Sequence, residues 1–512
     1  MSQPKTPPTA SILGYQPQLA RRAYTAGEWP IHAWGIGSAA LYLMYEQFYL
    51  IFNIHTTVFK VNVALVGAIL ALPRLVDGIL DPILGHWSDN MRSRWGRRRP
   101  FLLIAAIVGA IMVSAMFMMS PEWPQWIKAT LLALVAITLF TATGTYDMAH
   151  TALGYELSED YSDRSRIQSI KGVYWSLFCI FGGYVIWIAG SLPKIGDFLF
   201  GDPSHPRLGF WTALRPWLLN GDGTSNEVIG FRVISLFAAL MMLVTMVFPL
   251  LYAKERYVKI NRQHVNLWKA LKATLRCRPF VIILLIQFAN GAGTLSRNLF
   301  FYIGVYSVCF GDKEEYSRIM SGDIALVSFF LCLIVWPLTK PLTRLIGKRA
   351  SFILGAALNL INVAGLPFVA TPGHVRLWFW YNVIFMPISM VIAAPAAGIM
   401  PDICDLDELK HGERREGLFT AVQSFMSKMQ MSINMLLTGG FLAWTGFDAS
   451  LGAHQRPEAI ARMRMLGFTP LIIVSALAFV ISCFMPITAK MMAQVRAELD
   501  ARHAAAGTAA KS

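Results

Sequence analysis

Twelve apolar stretches, most of them twenty residues or longer, leave this chain few places to fold other than a lipid bilayer. They lie near 31–54, 62–86, 100–120, 127–153, 169–191, 229–253, 279–309, 321–343, 350–370, 375–400, 417–445 and 466–492. A helix needs roughly 20 mainly apolar residues to cross the hydrocarbon core. Backbone groups in lipid must be satisfied within the segment, so runs of this length read as spanning α-helices. The first is the weakest of the set, because it carries His32, Glu46, Gln47 and Asn53. Only 15% of the residues are charged, against about 25% in soluble domains. The expected class is therefore an all-α membrane protein of twelve transmembrane helices in two six-helix bundles.

The formal charge of +15 raises the question of nucleic acid, and the positions of the basic residues answer it. They crowd into alternate connections: Arg92 to Arg99, Arg164 and Arg166, Lys254 to Arg278, Lys340 to Arg349, and Lys410 to Arg415. The opposite connections, including the long one from 192 to 228, are leaner in Lys and Arg for their length. This is the positive-inside asymmetry, and it puts both termini in the cytoplasm without invoking a nucleic-acid partner. The expected division is a tail at 1–30, a six-helix bundle at 31–253, a linker at 254–278, a second bundle at 279–492 and a tail at 493–512. Residues 264–276 of the linker have the spacing of an amphipathic surface helix. Residues 1–30 lack the apolar core and cleavage site of a secretory signal. The six cysteines are scattered, without metal or disulfide spacing.

A charge at the centre of a spanning helix costs at least about 2.5–3.5 kcal/mol on insertion scales, so intramembrane ionisable groups mark function by default. The densest group is Arg74, Asp77 and Asp81 on the second span. Their spacing puts them on one helix face. Two carboxylates so close ionise together in low dielectric only if a cation joins them; otherwise one keeps a proton. That is the requirement of a coupling site for H⁺ or Na⁺. The competing structural reading has Arg74 neutralise one acid while Asp81 bonds near the helix end. Asp147 lies within the fourth span, Lys171 near the start of the fifth, and Lys428 within the eleventh, one turn after Ser424. We place Asp77, Asp81, Asp147 and Lys428 around one central cavity, with Ser424, Lys171 and Arg297 as further candidates for contact with a solute.

Two polar motifs complete the pattern. The connection from Gly85 to Pro100 carries Asp89, Arg92, Arg94 and Arg97. Opposite it, in the second half, stand Asp402, Asp405, Asp407, Glu408, Arg414 and Arg415. Acids paired bidentately with guanidinium groups are expected to act there as an exchangeable cytoplasmic gate. No His-x-x-x-His spacing occurs within a span and no nucleophile with an adjacent base stands out, so an enzyme is not expected, and neither is a resident cofactor or metal.

Arg74-x-x-Asp77-x-x-x-Asp81-Pro82, Gly85, Arg92-Ser93-Arg94-Trp95-Gly96, Asp147, Asp402-x-x-Asp405-x-Asp407-Glu408, Gly417 and Lys428 together resemble the glycoside-pentoside-hexuronide:cation symporter family of the major facilitator superfamily. The resemblance spans nearly the whole helical chain. It implies a monomer of the bacterial inner membrane that moves a sugar or glycoside with a monovalent cation. Asp77 and Asp81 would hold the cation, Asp147 the solute, and Lys428 with Arg74 would couple the two. Departures from the family's melibiose permease-like pattern fall at Leu80 and Gly144, where two neutral oxygen ligands are missing, which favours H⁺ over Na⁺. The first-span acid is also absent around Gly35 to Tyr45, and Thr151 replaces a stacking tryptophan. Galactoside recognition is therefore not expected, and a lysophospholipid or another amphiphile is the alternative solute.

Overall fold

The computed structural model describes residues 27–91, 93–157, 161–201, 209–253, 277–411 and 416–509. Among these residues twelve long helices follow the order of the apolar stretches. The first six are α1 (Glu28–Thr57), α2 (Val63–Asn90), α3 (Arg99–Met116), α4 (Gln125–Glu156), α5 (Tyr161–Phe200) and α6 (Glu227–Tyr252). The second six are α7 (Arg278–Tyr302), α8 (Ile324–Ile346), α9 (Lys348–Val369), α10 (Val375–His411), α11 (Glu416–Thr445) and α12 (Pro457–Cys483), and a further helix, α13 (Ala489–Ala509), follows them. Among the described residues, seven helices are long and apolar enough, by length and composition, to cross a membrane.

Local chemistry sets many of the ends. The Asn62 side chain accepts from the amides of Ala64 and Leu65 to cap α2, and Asn226 does the same for α6 through Ile229. Such caps satisfy amides that the first helical turn leaves unpaired. Gly347, at φ 82°, makes the sharp turn between α8 and α9, a conformation that costs a glycine little. Between α7 and α8 the chain forms two wide π-helical turns, Ile303–Val308 and Tyr316–Asp323.

Several boundaries differ from those expected. The last span runs over Pro457–Cys483 instead of 466–492, because Arg464 is accommodated inside the fold: its guanidinium donates to the carbonyls of Ala370 and Pro367 and lies over the Phe468 ring. Beyond 492 the chain continues as part of helix α13. Its Met492, Val495 and Leu499 are buried against Phe280, Ile403 and Leu406. The acidic motif from Asp402 to Glu408 forms the final turns of α10 instead of a connection. The amphipathic stretch 264–276 lies outside the described residues.

Two faces can be distinguished: a basic face, carrying the connection between α2 and α3, and the far face opposite. The two halves meet toward the far face. Helix α2 packs along α11, and α5 packs against the Tyr316–Asp323 turn and α8. One apolar core runs from Trp34 and Phe52 in the first half to Tyr302, Met435 and Phe468 in the second. The basic end of the second half has a separate core around Phe280, Ile403 and Phe419.

Two glycine contacts allow this closure. A Cβ on Gly67 would lie 2.7 Å from the Gly439 Cα, and one on Gly183 would lie 2.5 Å from the Ser321 carbonyl oxygen. Small residues let helix backbones approach this closely. Polar contacts join the same seam. Ser432 donates to the Ala71 carbonyl at 3.0 Å, Tyr184 to the Asp323 carboxylate at 2.5 Å, and the Thr56 and Tyr302 hydroxyls are bonded. Lys313 pairs with Glu227 at 3.0 Å.

Candidate transport site

Asp77 lies near the middle of α2 and is only 2% exposed. Arg74 and Asp81 fall one turn to either side on the same helix, and their side chains lie outside the described residues. A buried aspartate at this depth requires polar partners, because an uncompensated carboxylate is costly in a low-dielectric interior.

Asp147 is the centre of a cluster drawn from three helices. Tyr45 of α1 donates to its Oδ2 at 3.3 Å, and Thr151, one turn along α4, donates to Oδ1 at 3.1 Å. Lys171 of α5 places Nζ 3.8 Å from the same Oδ1 and donates to the Thr151 hydroxyl at 3.3 Å. The Asp147 side chain remains 36% exposed, so the carboxylate keeps an open side. Trp175, on α5, packs its ring 5.9 Å from Tyr45 and 5.3 Å from Tyr42. The group offers a carboxylate, an ammonium, two hydroxyls and an aromatic neighbour: a set that can accept from, donate to and stack on a polyhydroxylated solute.

A rigid layer supports it. Trp34 stacks on His150 with centroids 4.7 Å apart, and Tyr146 stacks on the other side at 5.7 Å. The Trp34 indole N–H donates to the His150 carbonyl at 2.8 Å, and His150 Nε2 donates to the Trp34 carbonyl at 2.9 Å. These reciprocal bonds fix α1 to α4 one turn from Asp147. The sequence reading missed Tyr45 and this layer. The i, i+4 spacing of Asp147 with Thr151 was a visible signal; the approach of α1 was not.

In the second half, Lys428 is half-buried on α11 and Ser424 is exposed. Nearby side chains tie α11 to α7: Gln423 donates to Gln287 Oε1 at 3.0 Å, Gln287 donates to the Ser427 hydroxyl, and Gln430 donates to the Gln287 carbonyl at 3.0 Å. The Arg297 side chain lies outside the described residues.

At the basic face, Asp402 is 1% exposed and is engaged by its own half. Lys348 of α9 reaches its Oδ2 at 2.7 Å and Arg496 of α13 its Oδ1 at 2.9 Å; Arg496 also lies 3.7 Å from Asp405. In the first half Arg94 is exposed and Arg97 half-buried, while Arg99 donates to the Ala253 carbonyl at 3.1 Å. Arg92 and Arg414, and the side chain of Asp89, lie outside the described residues. Arg496 was missed as a partner because the tail was not expected to fold.

Two helical bundles, joined at one end and carrying ionisable groups on their spanning helices, define a membrane transporter of the major facilitator fold. Comparison with known proteins agrees: the family described as MFS/sugar transport protein matches residues 24–489, and the chain belongs to it. An uncharacterized symporter of Synechocystis is 26% identical, over 89% of this chain and 93% of that protein. The isoprimeverose transporter of Lactiplantibacillus pentosus is 23% identical over 78% and 77%, and the glucuronide carrier protein homolog of Escherichia coli is 24% identical over 88% and 90%. Among solved structures, a bacterial homolog of the human lysosomal transporter Spinster, inward-facing and unoccupied, superposes with a TM-score of 0.61. It shares 13% identity over 89% of this chain and 96% of that one.

Proposed function

We propose that this protein is a symporter that moves a sugar, glycoside or related small solute together with H⁺ by alternating access. Asp77 and Asp81 take the coupling ion, Asp147 and Lys171 contact the solute, and Lys428 with Arg74 links the two events; Ser424 and Arg297 are secondary candidates for solute contact. The observation that carries this reading is Asp147, a carboxylate on an apolar helix that remains partly exposed while a lysine and two hydroxyls converge on it. The family match and the symporters and sugar carriers among its relatives support the same reading.

The absence of neutral oxygen ligands at Leu80 and Gly144 favours H⁺ over Na⁺, since a proton needs one carboxylate and Na⁺ needs several oxygens. With the basic face in the cytoplasm of a bacterial inner membrane, the joined far face is the outer gate. The basic residues Arg94 and Arg97 and the acids Asp402 and Asp405 then belong to the inner gate, with Asp89, Arg92 and Arg414 as its further members.

Binding of ion and solute must favour each other equally, as linkage requires. In proteoliposomes, Asp77→Asn abolishes uphill accumulation while leaving measurable exchange. Normal concentrative uptake by this variant contradicts the assignment, and uptake that depends on Na⁺ at clamped pH and potential overturns the choice of H⁺.

An amphiphile such as a lysophospholipid is the second reading. It is favoured by an open cleft of about 1080 Å³ at the far end, where Trp187, Ile188 and Phe198 form an apolar wall beside a mixed charged rim of Lys194, Arg318, Asp312, Glu314 and Glu315. Uptake of lysolipid without uptake of any sugar or glycoside would select it.

A further inference from the structure

Helix α13 follows the twelfth span and packs against the end of α10, whose final turns carry Asp402, Asp405, Asp407 and Glu408. Met492, Val495 and Leu499 recur on one face of α13, and all three are buried in the core that holds Ile403 and Leu406. Two arginines of the same helix clamp the acidic stretch at both ends. Arg496 reaches Asp402 Oδ1 at 2.9 Å and Asp405 Oδ2 at 3.7 Å, and Arg502 donates to the Leu409 carbonyl at 2.7 Å. Helical rise separates the two arginines by roughly 9 Å and the two ends of the clamped stretch by roughly 10 Å. The helices therefore lie side by side in matched register.

The burial of the charges is uneven. Asp402 is 1% exposed, whereas the side chains of its two cations, Lys348 and Arg496, are 42% and 57% exposed. The cations thus stand between the acid and solvent. A guanidinium that approaches from the first half, such as exposed Arg94, meets like charge before it meets the carboxylate. It gains a bidentate hold on Asp402 only by displacing one of the two. Lys348 is the first residue of α9 and withdraws only if that span moves. Arg496 stands on an appended helix, and its long stem lets the head group leave while Met492, Val495 and Leu499 stay docked.

We infer that α13 is a built-in counterweight to the inner gate: Arg496 occupies the acids that the first half needs, and so favours the arrangement in which the halves are joined at the far face. This rests on the reading of the basic face as a gate that alternates. A buried carboxylate that loses its partner is costly, so Asp402 needs a cation in both arrangements. Closing the gate then exchanges one arginine for another on the same acid, and no charge is stranded at either end of the step. The charge at position 496 sets the balance between the two.

The test uses the full-length protein in proteoliposomes with a cysteine at Ser317, which is buried in the far seam. Its labelling by an impermeant maleimide is followed by site-resolved mass spectrometry. Arg496→Gln raises the labelling rate roughly two- to fivefold, the range of an exposed ion pair, and Arg496→Lys, which keeps the charge, stays close to the unmodified protein. In an Asp402→Asn background Arg496→Gln has no further effect, because the two changes remove the same pair. The reference is Gly67→Ala, whose added methyl group overpacks the seam directly. Unchanged labelling in Arg496→Gln, when Gly67→Ala raises it, overturns the inference and leaves alternation standing; unchanged labelling in both overturns the two together. An equal rise from Arg496→Gln with and without the Asp402 carboxylate assigns the effect to loosening of α13 and refutes the competition.

Discussion

Replacing Gly67 with alanine adds one methyl group at the tightest point of the α2–α11 seam. That carbon would sit 2.7 Å from the Gly439 Cα and 2.8 Å from the Met435 carbonyl oxygen. Carbon atoms ordinarily approach to about 3.5–4.0 Å, so the overlap with Gly439 is roughly 1 Å. Both neighbours are backbone atoms, which have no rotamer to escape into. Overpacking of this order costs about 1–3 kcal/mol, charged to the arrangement in which the far ends are joined. Outside that contact alanine is better than glycine for α2 by about 1 kcal/mol, so the bundle itself is not weakened.

In an alternating-access cycle the penalty therefore moves the balance toward the arrangement with the far face open, by roughly 5- to 150-fold. A cysteine placed at Ser317, which is fully buried and accepts from the Trp187 amide across the seam, reports on it. With an impermeant maleimide and site-resolved mass spectrometry, labelling of that position rises by the same factor in Gly67→Ala. Unchanged labelling in a variant that melts normally would show that the two halves do not part along this seam, and the argument would fail.

Two further expectations follow from the polar clusters. Thr151→Val removes the hydroxyl shared by Asp147 and Lys171 without changing a charge, and raises the KM for the carried solute by roughly fivefold, the equivalent of about one hydrogen bond; Lys171→Gln raises it further, which uptake kinetics in vesicles measure. Arg496→Gln withdraws one of the two cations from Asp402 and loosens α13 by about 1–2 kcal/mol, discounted for the exposure of the arginine. Amide exchange over Met492–Leu499 then quickens by roughly 5- to 30-fold, while exchange in α4 does not change.

The helices were legible because lipid imposes one simple rule on long apolar runs, and each of the first eleven stretches overlaps one helix, although α5 and α10 run well past the ends of theirs. The twelfth was displaced because Arg464 looks like an end signal to hydropathy, whereas three-dimensional contacts with Ala370, Pro367 and Phe468 make it tolerable inside. Helix α13 was invisible for the converse reason. Its Ala-rich sequence has little apolar patterning, and its docking depends on Arg496 finding Asp402 from more than ninety positions away. The candidate residues were legible one at a time from the cost of charge in a span, and Lys171 gained its partner only when α4 and α5 were set side by side. Tyr45, Trp34 and His150 are ordinary residues in an apolar sequence, and proximity alone gives them meaning.

The two broad turns at Ile303–Val308 and Tyr316–Asp323 each hold more chain per hydrogen-bonded loop than the α-helices beside them. Drawing one such turn back into α geometry rotates every residue beyond it by about 100° around the axis, the angle of one residue step. For the segment entering α8 that rotation swings Asp323 off Tyr184 and presents a different stripe of side chains to α5, with the backbone ladder still intact. The outer end of this helix can thus exchange the surface it shows to its neighbour by rewinding, at far smaller cost than melting.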